Sequence, residues 1–188
     1  MCGRYQGFRE NSASGSCSRP RVKLIAGMLS SREKLLDEAS NVLAGDYGEV
    51  DFRSRLIPFK YTRHYEDEMG PGLVRQFISF KNPVCAGEIA AIKLRAIEIE
   101  RMFSSGRGGR TVNIDPGYVS GAKLVLATTK NYDHRIYLGS GIFAEVTLHY
   151  RGNSFIPWEW TYPDYRAKEY IDIFNHIRKI YMGAGEDN

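Results

Sequence analysis

The sequence predicts an α+β domain: a ferredoxin-like βαββαβ core, with two helices covering one face of an antiparallel sheet, extended by a β-hairpin and a C-terminal helix. Three observations carry this reading. Apolar residues alternate between strand-like runs and 3.6-residue periods in the order β-α-β-β-α-β from Val22 to Ile114. Gly139-Ser140-Gly141 separates two further strand-like runs. A last helical period, Tyr170, Ile171, Phe174 and Ile177, follows them.

The elements follow in order. Residues 1–21 are rich in Ser, Gly and Arg, show neither period and read as a disordered N-terminal extension. "VKLIAGML" is the first strand, and Ser30-Ser31-Arg32-Glu33 reads as a capping box opening a helix. That helix carries Leu35, Leu36, Ala39, Val42 and Leu43 on one face and stops near Gly45 or Gly48. "RLIPFKYT" and "LVRQFISFK" read as the next two strands, split by "RHYEDEMGPG", whose Gly-Pro-Gly breaks regular structure. Ile89, Ile92, Ala96, Ile97, Met102 and Phe103 mark the second helix, ending in "SSGRGG", and "TVNI" the fourth strand. Asp115-Pro116-Gly117-Tyr118 then suits a type II turn, with Pro second and Gly third. "GAKLVLATT" fits either a short helix capped by Ser120 or a strand, since Val125 and the Thr pair favour extended backbone. A single domain spans 22–182, and 183–188 reads as a flexible tail.

The 188 residues suit one domain with a good core, and 43% hydrophobic and 12% aromatic residues describe a globular chain. No run nears the ~18 apolar residues that a membrane span needs, and no secretory apolar segment is evident at the N-terminus, so a cytoplasmic location is expected. Cys2, Cys17 and Cys85 form neither a disulfide framework nor a zinc pattern. No nicotinamide, flavin or zinc signature is present, and the sequence names no cofactor, metal or oligomeric state. The formal charge is +4, but residues 1–22 hold four arginines against Glu10, leaving about +1 for the rest. A near-neutral domain has no obvious phosphate-tracking surface, so nucleic acid is weakly supported as a partner.

Candidate chemistry concentrates between Val112 and Leu148. If the glycine hairpin has a three-residue loop, Leu138 pairs with Ile142, Ile136 with Ala144, and Arg135 falls opposite Glu145. Ile142, Ala144, Val146 and Leu148 then face one way; Phe143, Glu145, Thr147 and His149 face the other. Histidine is the side chain suited to acid–base work at neutral pH, and His134 with Asp115 and Glu145 forms the candidate acid–base set. Lys123 and Lys130, seven apart and on one face if helical, join Arg135 and Tyr118 as candidate ligand-binding residues for a phosphate or carboxylate. Each also has a plain structural reading: a turn-opening Asp, a cross-strand ion pair, solvated lysines. The run Glu66, Asp67 and Glu68 reads as a solvated loop rather than a Mg²⁺ site.

"NIDPGY", "KLVLATTK", "HRIYL" and "IFAEVTL", with "LIPFKYT", "YEDEMG", "ISF" and "WTYPDYR", resemble the bacterial and archaeal family called domain of unknown function 4416, from Lys23 to about Tyr181. The resemblance implies a small single-domain prokaryotic protein. Some relatives are described as GTP-binding, yet no GxxxxGK[ST] phosphate loop occurs here. "MCGRY" separately resembles the start of abasic-site-binding peptidases, whose downstream Asn, Glu and His motifs are missing. The density of charged groups in one stretch leads to an expectation: a protein that binds a small anionic metabolite or nucleotide, or a hydrolase or transferase acting on one. The alternative is an RNA- or protein-binding module using the open face of the sheet, with Phe77 and Phe80 exposed on it.

Overall fold

A computed structural model describes residues 20–62, 65–104 and 109–183. The "MCGRY" start and the extension up to residue 19 lie outside the described residues, as does the tail from 184 onward. Chain order is β1 (Arg21–Ser30), α1 (Glu33–Tyr47), β2 (Val50–Arg53), β3 (Ile57–Pro58), α2 (Glu66–Met69), β4 (Val74–Phe80) and β5 (Val84–Cys85). After a 3₁₀ turn come α3 (Ile89–Met102), β6 (Asn113–Val119), β7 (Lys123–Thr128), β8 (Ile136–Gly139), β9 (Ile142–Arg151), β10 (Ser154–Pro157) and α4 (Lys168–Gly183). Every strand pairing is antiparallel, in the order β10-β9-β7-β6-β1-β4-β2, with β3, β5 and β8 attached to β4, β1 and β9.

β1 is central because it is apolar on both sides. Leu24, Ala26 and Met28 meet Leu36, Ala39 and Leu43 of α1 and Ile92, Ala96 and Ile99 of α3. Ile25 faces the other side, where Phe77 and Leu124 pack against Tyr170, Phe174 and Ile177 of α4. Helices therefore cover both faces, and each fully buried Leu, Ile or Phe contributes about 1.5–3 kcal/mol. The sequence reading expects the C-terminal helix to pack back onto the sheet; only its alternative, the RNA- or protein-binding module, leaves the second face open, with Phe77 and Phe80 exposed. Instead Phe77 is 0% exposed beneath α4, its ring 4.7 Å from that of Tyr170, and Phe80 is 1% exposed against Tyr47 of α1. The amphipathic C-terminal helix has nowhere else to bury its stripe.

Other local expectations give way for identifiable reasons. Ser30 does not cap α1: its hydroxyl donates to the Thr111 carbonyl at 2.7 Å and accepts the Arg32 N–H, and the helix starts at Glu33 without a side-chain cap. Gly48, at φ 94°, closes α1. Of "RLIPFKYT" only Ile57–Pro58 pairs, while "VDFR" supplies the strand the sequence hid behind a bulge at Asp51. Asp115-Pro116-Gly117-Tyr118 is not a turn but the interior of β6, held in register by Gly27↔Asp115 and Ala26↔Pro116. Pairing along seven residues of β1 overrides a turn propensity read from four.

"GAKLVLATT" is strand β7, not a helix. The hairpin pairs Ile136 with Ala144 as expected, but a shift places Gly139, not Leu138, opposite Ile142. A second bulge, at Thr147 opposite Leu124/Val125, reverses the alternation of β9. Ile142 consequently packs with the α1/α3 core and Leu148 with the α4 core, instead of sharing a face.

Candidate functional site

The strands β6 and β7 pair only over Gly117–Val119 and Leu124–Leu126. Gly117 permits the close approach: a Cβ there would lie 2.4 Å from the Val125 carbonyl oxygen. Toward the start of β6 the ladder to β7 stops at Pro116, which has no N–H, while the ladder to β1 continues. α3 fills the gap. Glu100 accepts the Ile114 N–H at 2.6 Å and Lys93 donates to the Ile114 carbonyl at 2.7 Å, so two side chains of one helix satisfy the backbone groups that a paired β7 would have taken. Both are 5% exposed.

On the α4 side of this gap lies a cavity of about 430 Å³. Its floor holds Asp115 and Arg75, and the Gly27 backbone leaves the room through which Arg75 crosses the sheet, since a Cβ would meet Arg75 at 3.2 Å and Phe77 at 3.0 Å. Leu126 to Lys130, Arg135 and Glu145 form one wall; Phe59, Tyr61 and Tyr65 form the opposite one. The loop Tyr162–Tyr165, which leads into α4, also lines it.

A continuous polar network runs through the floor. Glu68 grips Arg110 through Nε at 2.9 Å and Nη2 at 2.7 Å, and Arg110 Nη1 donates to Asn113 Oδ1 at 2.8 Å. Asn113 Nδ2 donates to Asp115 Oδ2 at 2.8 Å, and Arg75 Nη1 donates to the same oxygen at 3.3 Å. Lys93 Nζ lies 3.4 Å from Asp115 Oδ1. Asp164 Oδ2 stands 3.7 Å from Arg75 Nη2.

These neighbours move the ionisations apart. Burial raises the Asp115 pKa, but Lys93 and Arg75, with hydrogen bonds from Lys93 and Asn113, outweigh it and hold Asp115 below its ordinary value. Asp164 goes the other way, because burial exceeds the pull of Arg75; Glu100 is likewise raised by burial despite Lys93. For Arg75 burial disfavours the charge, yet Tyr165, Asp115, Tyr170 and Asp164 together lift it above the ordinary arginine value.

The second cluster lies on the hairpin wall. Arg135 Nε donates to Glu145 Oε2 at 2.7 Å, and both side chains are 3% exposed. Arg135 Nη1 donates to the Lys130 carbonyl at 2.9 Å, and its guanidinium lies 4.9 Å from the Tyr132 ring centre. Thr147 donates to the other Glu145 oxygen at 3.1 Å. His134 sits behind the wall, with Nε2 3.2 Å from Glu145 Oε2 and Nδ1 3.2 Å from Asp133. Its ring stacks between Tyr132 and Trp160, and the column continues through Trp158 to His149. Trp160 Nε1 and Thr161 Oγ1 donate to the Val146 and Thr147 carbonyls, where β9 has neither β8 nor β10 beside it.

Of the residues singled out in the sequence, Asp115, Glu145, Arg135 and Lys130 line the cavity. His134 reaches it only through Glu145. Lys123 lies at the far end of β7, paired with His149, and is exposed; Tyr118 packs against the α1/α3 core, on the opposite face from Asp115. A strand places Lys123 and Lys130 at opposite ends, so the shared helical face does not exist. Glu68 is tied to Arg110, and no group of three or more His, Cys, Asp or Glu residues arranged for a metal occurs among the described residues. The residues that sequence reasoning missed are Arg75, Lys93, Arg110, Asn113 and Asp164. Two had a signal: Arg75 is the one charged residue of β4, and Lys93 falls on the apolar stripe of Ile89, Ile92 and Ala96.

Fold and site together define an α+β protein with a charged, aromatic-walled cleft at a split in its sheet. The chain belongs to the family described as Domain of unknown function (DUF4416), whose model matches residues 20–181. No curated protein and no solved structure matches it.

Proposed function

We propose that this protein binds a small anionic, phosphate- or carboxylate-bearing metabolite or nucleotide in the cleft between β4, β6 and the β8–β9 hairpin. The observation that carries the reading is convergence: Arg75, Lys93, Arg110, Lys130 and Arg135, from separate parts of the chain, line one hollow with three carboxylates, Asp115, Glu145 and Asp164. The volume of about 430 Å³ suits a metabolite, and the aromatic wall offers apolar contact beside the charges. Where turnover accompanies binding, hydrolysis or group transfer fits these residues, with Asp115 and Glu145 as the carboxylates beside the ligand and His134 orienting Glu145. We read β6-β1-β4-β2, with α1 and α3 on one face, as a ferredoxin-like core, and β7 to α4 as the addition that builds the cleft. A cytoplasmic, prokaryotic setting goes with this reading; no described helix is long and apolar enough to cross a membrane. α4 occupies the face of the sheet that RNA recognition would need.

The test is calorimetric titration of the full chain with inorganic phosphate, sulfate, citrate and nucleoside monophosphates at two salt concentrations. Saturable binding of at least one, weakened in Lys130→Ala, is expected. Failure of the whole panel to bind overturns the reading.

A further inference from the structure

Arg75 and Arg110 stand in the same cleft and offer a comparison. In Arg110 the edge formed by Nε and Nη2 grips Glu68 through contacts of 2.9, 3.1 and 2.7 Å, the two-pronged geometry by which a guanidinium recognises a carboxylate or phosphate. Arg75 is far more buried, with a side chain 3% exposed, and its Nη1 is committed to Asp115. Yet its Nε–H has no hydrogen-bond partner among the described residues, and Asp164 stands 3.7 Å from Nη2, beyond hydrogen-bond range. The faces of the guanidinium are taken by rings, with Phe59 at 5.2 Å and Phe77 at 5.9 Å from the central carbon, so only the edge is left for polar partners.

A second buried group points the same way. Tyr165 is 4% exposed and lines the cavity, and its hydroxyl has no hydrogen-bond partner among the described residues. Buried donors are satisfied in folded proteins, and leaving a charged one bare is costly. Two such donors beside one cavity call for an acceptor that the described residues do not provide.

We infer that the Nε/Nη2 edge of Arg75 and the Tyr165 hydroxyl form an oxyanion receptor, which takes the carboxylate or phosphoryl head of the cleft's ligand in the two-pronged mode that Glu68 adopts on Arg110. The inference rests on the anion-binding reading and deepens it: it names the innermost point of attachment and requires a head group with two acceptor oxygens about 2.2 Å apart or slightly more, as carboxylates and phosphates have. Lys130 and Arg135 then hold the outer part of the ligand. A ligand whose only charge is a halide or a single phenolate does not fit.

The test uses the full-length protein with inorganic phosphate, acetate and chloride as probes, in wild type, Arg75→Lys and Tyr165→Phe. Lysine keeps the charge and loses the fork; phenylalanine removes one oxygen that has no partner among the described residues, so that variant folds. The expected result is binding of phosphate or acetate but not of chloride, weakened about tenfold or more by Arg75→Lys and about three- to tenfold by Tyr165→Phe. The Arg75 Nε–Hε resonance should shift on saturation of the wild type, a readout that does not depend on the lysine variant folding. If the wild type binds none of these probes, nor any other anion, the cleft reading itself falls. If it binds phosphate or acetate with Tyr165→Phe unaffected and the Arg75 Nε–Hε resonance unmoved, the ligand is held elsewhere in the cleft and the receptor is wrong.

Discussion

Replacing Lys93 with Met is the sharpest test of how the cleft floor is built. Methionine keeps most of the aliphatic length and removes the ammonium, which is buried with its residue 5% exposed, donates to the Ile114 carbonyl at 2.7 Å and faces Asp115 at 3.4 Å. At that distance and an effective dielectric of about 20, the Lys93–Asp115 attraction is roughly 5 kcal/mol. Relief from desolvating the ammonium offsets part of it, whereas the Ile114 carbonyl loses its partner. Breaking one side of a buried pair then costs about 3–5 kcal/mol, a large share of the roughly 5–15 kcal/mol that holds a domain folded. Urea denaturation at pH 7 should show the midpoint falling with an unchanged slope, and melting should drop by about 10 °C. Adding Asp115→Asn to Lys93→Met should restore about 1–3 kcal/mol, since the buried carboxylate, left with Arg75 and Asn113 but without Lys93, then no longer carries a charge. A Lys93→Met protein within about 0.5 kcal/mol of wild type, the size of a surface change, would show that Lys93 is a solvated wall residue, and the account of the sheet split would fail.

Further outcomes follow from the same geometry. Glu100 has a raised native pKa, from burial, so the folded state holds its proton more tightly than the unfolded state. Its contribution to stability is present below 4.5, its ordinary value, and is lost as pH rises through the native value; the stability of wild type relative to Glu100→Gln should therefore decline over that window, and a flat difference in denaturation midpoints would contradict the burial argument. Asp115 is lowered, so its contribution is lost in the opposite direction, as pH falls below 3.8, and Asp115→Asn should flatten that acid limb of the stability curve. Gly117→Ala forces a Cβ to 2.4 Å from the Val125 carbonyl and should destabilise by about 3 kcal/mol; a melting temperature within about 2 °C of wild type would mean that β6 and β7 are less closely pressed. Thr161→Val removes the donation to Thr147 at 2.6 Å and the acceptance from the Trp158 N–H at 2.8 Å, so a loss of about 1–3 kcal/mol and faster exchange of the Trp158 amide are expected; an unchanged exchange rate would refute the plug on β9.

How much of this was legible depended on whether the deciding interaction was local. The three long helices were, because a 3.6-residue apolar stripe is written in consecutive residues, and so was the Arg135–Glu145 contact, set by two glycines at a hairpin. Asp115-Pro116-Gly117 was misread because its fate is decided by β1, about ninety residues earlier in sequence, where Gly27 and Ala26 pair with it. The bulge at Thr147 leaves no mark in composition, yet it exchanges the faces of Ile142 and Leu148. The site divides in the same way. Arg135, Glu145 and Lys130 come from one stretch and could be grouped by proximity. Arg75 and Asp164 meet Asp115 only through the fold, 40 residues apart in the first case. Density of charge in sequence thus found the hairpin wall but, of the floor, Asp115 alone.

The position of the cleft follows from a single economy of backbone hydrogen bonds. A sheet that stayed paired along the full length of β6 and β7 would close this hollow, and Ile114 would bond to the neighbouring strand. Pro116 removes the donor at the place where pairing would have to continue, the strands part, and the freed Ile114 N–H and carbonyl need partners in a buried place. α3 supplies an acid and a base seven residues apart, two turns along the same face, and this spacing spans one residue's N–H and carbonyl. Once Lys93 is buried there, Asp115 becomes its counterion; Arg75 and Asn113 complete the hydrogen bonding of that carboxylate, and Arg110 holds Asn113. Each charge on the floor thus has a structural reason that ends at another charge, with one exception. The Arg75 Nε–H has no hydrogen-bond partner among the described residues and Asp164 stays 3.7 Å from Nη2, and this edge is the part of the network that a ligand would complete.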